Sequence, residues 1–108
     1  MSTGKQATPF IPGQRWSSNS EPELGLGIIE DVDPQFVNIQ FPACDELRRY
    51  SVDSSPLHRI SFQPGNTIQD LTGENHTIDE VEEKNGLLTY ICDGQHLSEA
   101  RLNANMAD

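Results

Sequence analysis

The sequence predicts an all-β fold built as two tandem, small, bent antiparallel barrels, and three observations lead there. A seven-residue phrase occurs twice, FIPGQRW at 10–16 and FQPGNTI at 62–68; each reads aromatic, any residue, Pro, Gly, amide, any residue, large apolar. The echo continues downstream: IEDVD at 29–33 with IDEVE at 78–82, VNIQF at 37–41 with LLTYI at 87–91, and RI at 59–60 with RL at 101–102. Gly, Pro, Asn and Asp punctuate the chain at the short intervals of a β protein, and no segment holds a helical apolar period over three turns. A repeat of this kind sets the architecture before any local reading is made. A unit of roughly 50 residues buries a thin core and is marginal alone, so the two units are expected to pack together.

The elements follow in order. Residues 1–9 are small and polar and read as a disordered tail. The first unit then spans 10–61 and the second 62–103, leaving 104–108 as a frayed end. Each Pro-Gly sets the turn into a first strand, and Trp16 or Ile68 then enters the core. In the second strand the apolar residues are Ile29 and Val32 in one copy and Ile78 and Val81 in the other. A spacing of three places them on opposite faces of a regular strand, so a bulge or sharp bend is expected in both copies. A long bent second strand is what closes a five-stranded barrel of the SH3, Tudor or KOW kind. VNIQF alternates cleanly, with Val37, Ile39 and Phe41 on one face. Asn85-Gly86 ahead of LLTYI is a type I′ hairpin signal. LLTYI itself is apolar on both faces, Leu87, Thr89 and Ile91 against Leu88 and Tyr90. One face fills its own barrel; the other needs cover, from the first barrel or from a neighbouring domain. A final short strand is expected near Ala100–Leu102, by analogy with Arg59-Ile60.

The net charge is −10 and it is uneven. Residues 1–61 carry five Lys/Arg against eight Asp/Glu, a net of −3; residues 62–108 carry two against nine, a net of −7. Such a surface repels phosphate and suits a basic protein surface better, with solubility as the plainer reading. The two cysteines, Cys44 and Cys92, form no CxxC pair, and the first ten residues lack the apolar stretch of a signal peptide. No run reaches transmembrane length. A cytoplasmic protein with reduced thiols, and no contact with a membrane, is expected.

Catalytic signals are missing. Gly25-Leu26-Gly27 lacks the third glycine and the helix of a dinucleotide fingerprint, and no phosphate-binding GxxxxGK[ST] loop occurs. The acidic groups Glu30, Asp31, Asp33 and Asp79, Glu80, Glu82, Glu83 lack EF-hand spacing and read as the solvent side of hairpins. His58, His76 and His96 show no metal-ligand spacing. The chain therefore reads as non-enzymatic, without catalytic, cofactor or metal residues of its own. Arg48, Arg49, His58 and Arg59 hold most of the positive charge of the first unit. If the fourth and fifth strands are neighbours, Arg48 and Arg59 share one rim that would meet an acidic partner or nucleic acid. The plainer reading pairs these arginines with Asp45, Glu46 or Asp53 across strands. Trp16 and Tyr50 are candidates for an aromatic cage, with core packing as the alternative. The partner-binding candidates are Arg48, Arg49, Arg59, Leu88 and Tyr90.

PGQRW at 12–16, SEPELGLG at 20–27, FPACDELRRY at 41–50, PLHRISFQPGNTI at 56–68 and VEEKNGLLTY at 81–90 follow one another in an order that resembles the N-terminal region of the RapA family, the bacterial RNA polymerase-associated ATPases of the Swi/Snf class. The resemblance covers about residues 10–103. It departs from the family pattern at Cys44-Asp45, where Thr-Gly stands, at Asn66 for Asp, and at Glu74 for Trp. It implies two Tudor-like or KOW-like bent sheets ahead of a helicase-like motor in a protein that uses ATP to recycle stalled RNA polymerase. The implied partners are core RNA polymerase and the protein's own motor, with DNA or RNA bound weakly if at all through this chain; the implied place is the cytoplasm, at the nucleoid through polymerase. The alternative is a KOW-type module that binds nucleic acid through the basic rim. The motor motifs are absent from this sequence, so ATP belongs to the full-length family and not to this chain.

Overall fold

The structure, a computed structural model, describes residues 10–53 and 56–104. The tail expected over 1–9 lies outside the described residues, as does all but the first residue of the end expected over 104–108. The described chain is all-β apart from two single 3-10 turns. The first unit has β1 (Arg15–Ser18), a 3-10 turn (Pro22–Leu24), β2 (Gly27–Val32), β3 (Phe36–Phe41), β4 (Glu46–Ser51) and β5 (Leu57–Arg59). These form one antiparallel sheet in the order β4-β3-β2-β1-β5. The second unit has β6 (Thr67–Gln69), β7 (Asn75–Thr77), β8 (Glu80–Lys84), β9 (Leu87–Cys92), β10 (Gln95–Ser98) and a 3-10 turn (Glu99–Arg101). Its sheets run β6-β7 and β10-β9-β8.

The repeated phrase folds the same way twice. The Gly13 N–H donates to the Ile29 carbonyl (3.0 Å) and the Ile29 N–H to the Gln14 carbonyl (3.0 Å). In the second unit Gly65 donates to Ile78 (2.8 Å) and Ile78 to Asn66 (2.9 Å). The amide after each Pro-Gly closes its own turn: Gln14 Oε1 accepts from the Ile11 N–H (3.0 Å), Asn66 Oδ1 from the Gln63 N–H (2.8 Å). Both glycines have φ near +97°, at +98° and +96°, a backbone region open to glycine at no steric cost. The phrase is thus a turn-and-clamp that joins strand one to the bend of strand two.

That bend is resolved differently in the two copies. In β2 the register with β3 shifts between Ile29 and Asp31, a bulge that leaves Glu30 exposed and returns Val32 to the core. In the second unit the strand breaks outright at Ile78-Asp79, so that β7 and β8 together correspond to β2. Ile78 is buried at the break and Val81 packs on the same core. The closing contact corresponds too: β1 pairs with β5 through Trp16 and Arg59, and Asp70, next to β6, bridges Leu102.

Two differences from the expected fold matter for function. The five-stranded sheet is not closed: β4 and β5 are its opposite edges. The physical reason lies in β5, only three residues long, after which Ile60 and Phe62 turn into the core of the second unit. The short strand expected near Ala100–Leu102 is instead a 3-10 turn over Glu99–Arg101, with Leu102 alone keeping the bridge. Ser98 Oγ accepts from the Ala100 N–H (3.3 Å), a local bond that favours the turn over a ladder. Asn85-Gly86 forms the β8–β9 hairpin with φ of +55° and +84°, as the type I′ signal implies. Asp93-Gly94 does the same between β9 and β10.

Two apolar cores result. Phe10, Trp16, Leu24, Ile29, Val37, Ile39 and Phe41 fill the first; Val37, Ile39 and Phe41 have no exposed surface, as the VNIQF alternation requires. The second contains Phe62, Ile68, Ile78, Tyr90, Cys92 and Leu102, and it also takes Leu26 and Ile60 from the first unit's stretch of chain. Gly27 lies where β2 crosses the first core: a Cβ there would sit 2.6 Å from Ile39 Cγ2 and 2.8 Å from Phe41 Cε1. We expect Gly27→Ala to cost about 1–3 kcal/mol by overpacking, read as a lowered urea midpoint at unchanged m.

At the other end of the second unit, Asp70 organises the β6–β7 turn. One carboxylate oxygen accepts from the Thr72 N–H (2.9 Å), the Thr72 hydroxyl (2.6 Å) and the Glu74 N–H (3.1 Å); the other meets His76 Nε2 at 2.8 Å. These bonds, the Thr72 hydroxyl first and His76 next, hold its carboxyl well below the usual carboxylate range. A carboxyl lowered on folding stabilises above its unfolded pKa of about 4, and that contribution is lost as pH falls through the folded value. Urea midpoints measured between pH 5 and 2 should therefore fall less steeply in Asp70→Asn than in the parent; parallel curves would show that the turn does not titrate.

Candidate functional site at the seam between the units

The seam is built by the tip of the β8–β9 hairpin resting on the first Pro-Gly turn. Gln14 Nε2 donates to the Gly86 carbonyl (2.8 Å), and Trp16 Nε1 donates to Gln14 Oε1 (2.9 Å). Gly86 approaches so closely that a Cβ would lie 3.0 Å from Ile11 Cγ1. The longer amide of the first copy thus reaches across the seam, while its counterpart Asn66 is exposed.

Beneath the hairpin lies a buried polar network. Glu99 has no exposed surface and every partner it needs. Its Oε1 accepts from the Arg15 N–H (3.0 Å) and Arg59 Nη1 (2.5 Å), and its Oε2 from the Leu88 N–H (2.6 Å) and Arg59 Nη2 (2.7 Å). The two Arg59 bonds form a bidentate fork, the geometry in which guanidinium and carboxylate interact best. Arg59 Nη1 also donates to the Arg15 and Ile60 carbonyls, and Nη2 to Gly86. Arg15 is only 2% exposed, and its guanidinium donates to the carbonyls of Leu26, Gly27, Ala100 and Leu102 at 3.0–3.4 Å. Burial lowers its pKa to about 10 against the pull of Glu99, so it stays protonated at neutral pH.

Arg59 is therefore turned inward, and β4 and β5 are not neighbours, so Arg48 and Arg59 share no rim. Arg48 lies near Glu21 (3.6 Å) and near Glu46 (3.4 Å); Glu46 is among the partners the sequence suggests, but it lies on the same strand and not across from Arg48. Arg49 is exposed on the other face of β4, its guanidinium 4.2 Å from the Phe36 ring centroid, beside exposed Leu47. Tyr90 is fully buried in the second core, where its hydroxyl accepts from the Phe62 N–H (3.2 Å). It offers no surface to a partner. Tyr90→Phe would leave that N–H unpaired, and we expect a loss of about 1 kcal/mol in urea unfolding. Leu88 is half-buried at the seam. Trp16 stacks on Phe10, centroids 4.6 Å apart, and Tyr50 packs from the side of the same core, so core packing accounts for both rings.

Between hairpin and first turn opens a cleft of about 530 Å³ lined by Ile11, Gln14, Trp16, Arg59, Ser61, Glu83, Gly86 and Leu88. It contains no nucleophile with a base and an orienting group. Sequence reasoning named Trp16, Arg59 and Leu88, the first two for a cage and a basic rim that the structure does not form, and did not single out Arg15, Glu83 or Glu99. Arg15 and Glu99 are 84 residues apart and no local pattern joins them. A signal did exist for Glu83: the alternation that puts Val81 in the core puts Glu83 on the same face. Both cysteines are free, and no helix among the described residues is long and apolar enough to cross a membrane.

Fold and seam together define a tandem of small Tudor-like β units joined across the seam by a buried ion-pair network. Residues 10–60 match the model of "RapA N-terminal Tudor like domain 1" and residues 62–107 that of "RapA N-terminal Tudor like domain". The chain is 47% identical over 83 residues to RNA polymerase-associated protein RapA of Serratia proteamaculans, and equally so to RapA of Cronobacter sakazakii and of Yersinia enterocolitica. Each alignment covers 77% of this chain and 9% of the relative, so the chain spans about a tenth of the length of the proteins it matches. The chain belongs to the RapA N-terminal Tudor-like family.

Proposed function

We propose that this chain is the non-catalytic interaction and regulatory module of an ATP-dependent RNA polymerase recycling factor, docking on core RNA polymerase and restraining the motor of the full-length protein. The observation that carries this reading is the match of both units, in order, to the N-terminal domains of proteins named for their association with RNA polymerase. A structural feature supports the docking part of it: β4 is an exposed sheet edge bearing Leu47 and Arg49 beside Arg48. Exposed edges and arginine-bearing apolar spots are common places for partners to dock. The place of action on this reading is the cytoplasm, at the nucleoid through polymerase.

A pull-down of core polymerase at low salt tests the proposal. We expect retention by the folded chain and a roughly tenfold loss, ~1.4 kcal/mol, on reversing Arg48 and Arg49 to Glu. No retention by a folded chain sinks direct docking. The alternative, a KOW-type nucleic-acid module, has lost Arg59 from its rim and faces a net charge of −10. Titration with labelled DNA and RNA at two salt concentrations separates the readings, since binding through phosphates weakens steeply with salt.

A further inference from the structure

We infer that the seam cleft is a receptor for a lysine or arginine side chain presented by a basic polypeptide segment. The walls are apolar: Ile11 and Trp16 from the first unit, Leu88 from the second. They suit the methylene stem of a long cationic side chain, which gains by covering apolar surface while its head stays near water. The floor is Arg59, whose Nη1 and Nη2 are already taken by Glu99 and three backbone carbonyls. Those two nitrogens have no donor left for a guest carboxylate.

The rim supplies the selectivity. Glu83 is exposed and has no ion-pair partner among the described residues, although it stands opposite Leu88 on the core-facing side of β8. An apolar residue there would continue the second core, as Val81 does two residues earlier. A carboxylate in its place breaks the local pattern without an internal partner, the kind of departure that marks function more often than fold. Arg15, Arg59 and Glu99 together keep one positive charge, but it is spread over interior carbonyls. At the mouth Glu83 is the one carboxylate among the lining residues, and residues 62–108 carry a net of −7. Charge and shape therefore favour a cationic guest.

This inference names the chemistry of a partner for the proposed module but uses no polymerase in its test, so the two can fail separately. The probe is an uncharged-flank peptide of alternating Lys and Ala, titrated into the chain while the emission of Trp16, its single tryptophan, is followed. We expect a saturable change in emission, weakened by salt. Glu83→Gln should weaken binding at least about fivefold. Glu82→Gln removes the same charge from the opposite face of β8 and should change it less than about twofold. The peptide with Glu in place of Lys should leave Trp16 unchanged. Equal losses in the two variants would reduce the effect to general charge attraction and overturn the assignment. So would a silent Trp16, or equal binding of the acidic peptide. Glu83 is exposed, so an unchanged urea midpoint of the Gln variant checks that folding is intact.

Discussion

Glu99→Ala is expected to lower the unfolding free energy by about 3–5 kcal/mol, the usual cost of removing one partner of a buried ion pair. The reason is what remains behind. Arg59 and Arg15 would keep their charges in the interior, and the Arg15 and Leu88 N–H groups would lose their acceptor. A domain of this size has roughly 5–15 kcal/mol in total, so the variant should be marginal at room temperature. Urea unfolding followed by far-UV circular dichroism measures it. Glu99→Gln keeps one oxygen, which can accept from the Arg15 or the Leu88 N–H but not from both, and loses the charge; it should fall between the parent and Ala. A loss under about 1 kcal/mol for Glu99→Ala would mean that water enters the seam and replaces the carboxylate.

The second large effect tests whether the two units are one cooperative body. Phe41 is fully buried in the first core, and Phe41→Ala should cost about 3–5 kcal/mol through lost burial and the cavity left behind. The informative part is where the loss is felt. Trp16 reports on the first core and Cys92, buried in the second and with its thiol pKa raised by burial, reports on the other through its reactivity. Leu26 and Ile60 belong to the second core, and the Arg15–Arg59–Glu99 network spans the seam. We therefore expect tryptophan emission and Cys92 labelling to shift to the same lower urea concentration, with Cys44→Ser as the background because Cys44 is exposed. A first transition that leaves Cys92 protected would establish two independent domains.

Much of this molecule was legible because its signals are local. The Pro-Gly-amide phrase works within four residues, so its repetition announces two equivalent turns. Val37, Ile39 and Phe41 alternate because a strand has period two, and Asn85-Gly86 turns because both residues tolerate positive φ. The seam was not legible. Arg59 read as a surface cation because the carboxylates near it in sequence, such as Asp53, are themselves surface groups; its partner comes 40 residues later, from a 3-10 turn that overlaps the strand expected near Ala100–Leu102. Leu88 and Tyr90 read as a face seeking cover, yet Tyr90 fills its own core and Leu87, across the strand, faces the first unit at Gly13.

By itself the sequence determined two β units, their order, their turns, the bend in each second strand and the acidity of the second unit. These depend on backbone sterics, residue period and summed charge, which are properties of short segments. Only the tertiary structure decided that the first sheet stays open, that Ile60 and Leu26 serve the second core, and that Arg15, Arg59 and Glu99 meet. Which buried charge finds which carboxylate is settled by packing two sheets against each other, where an unpaired ion is too costly to remain. Glu83 and the seam cleft arise from that same packing.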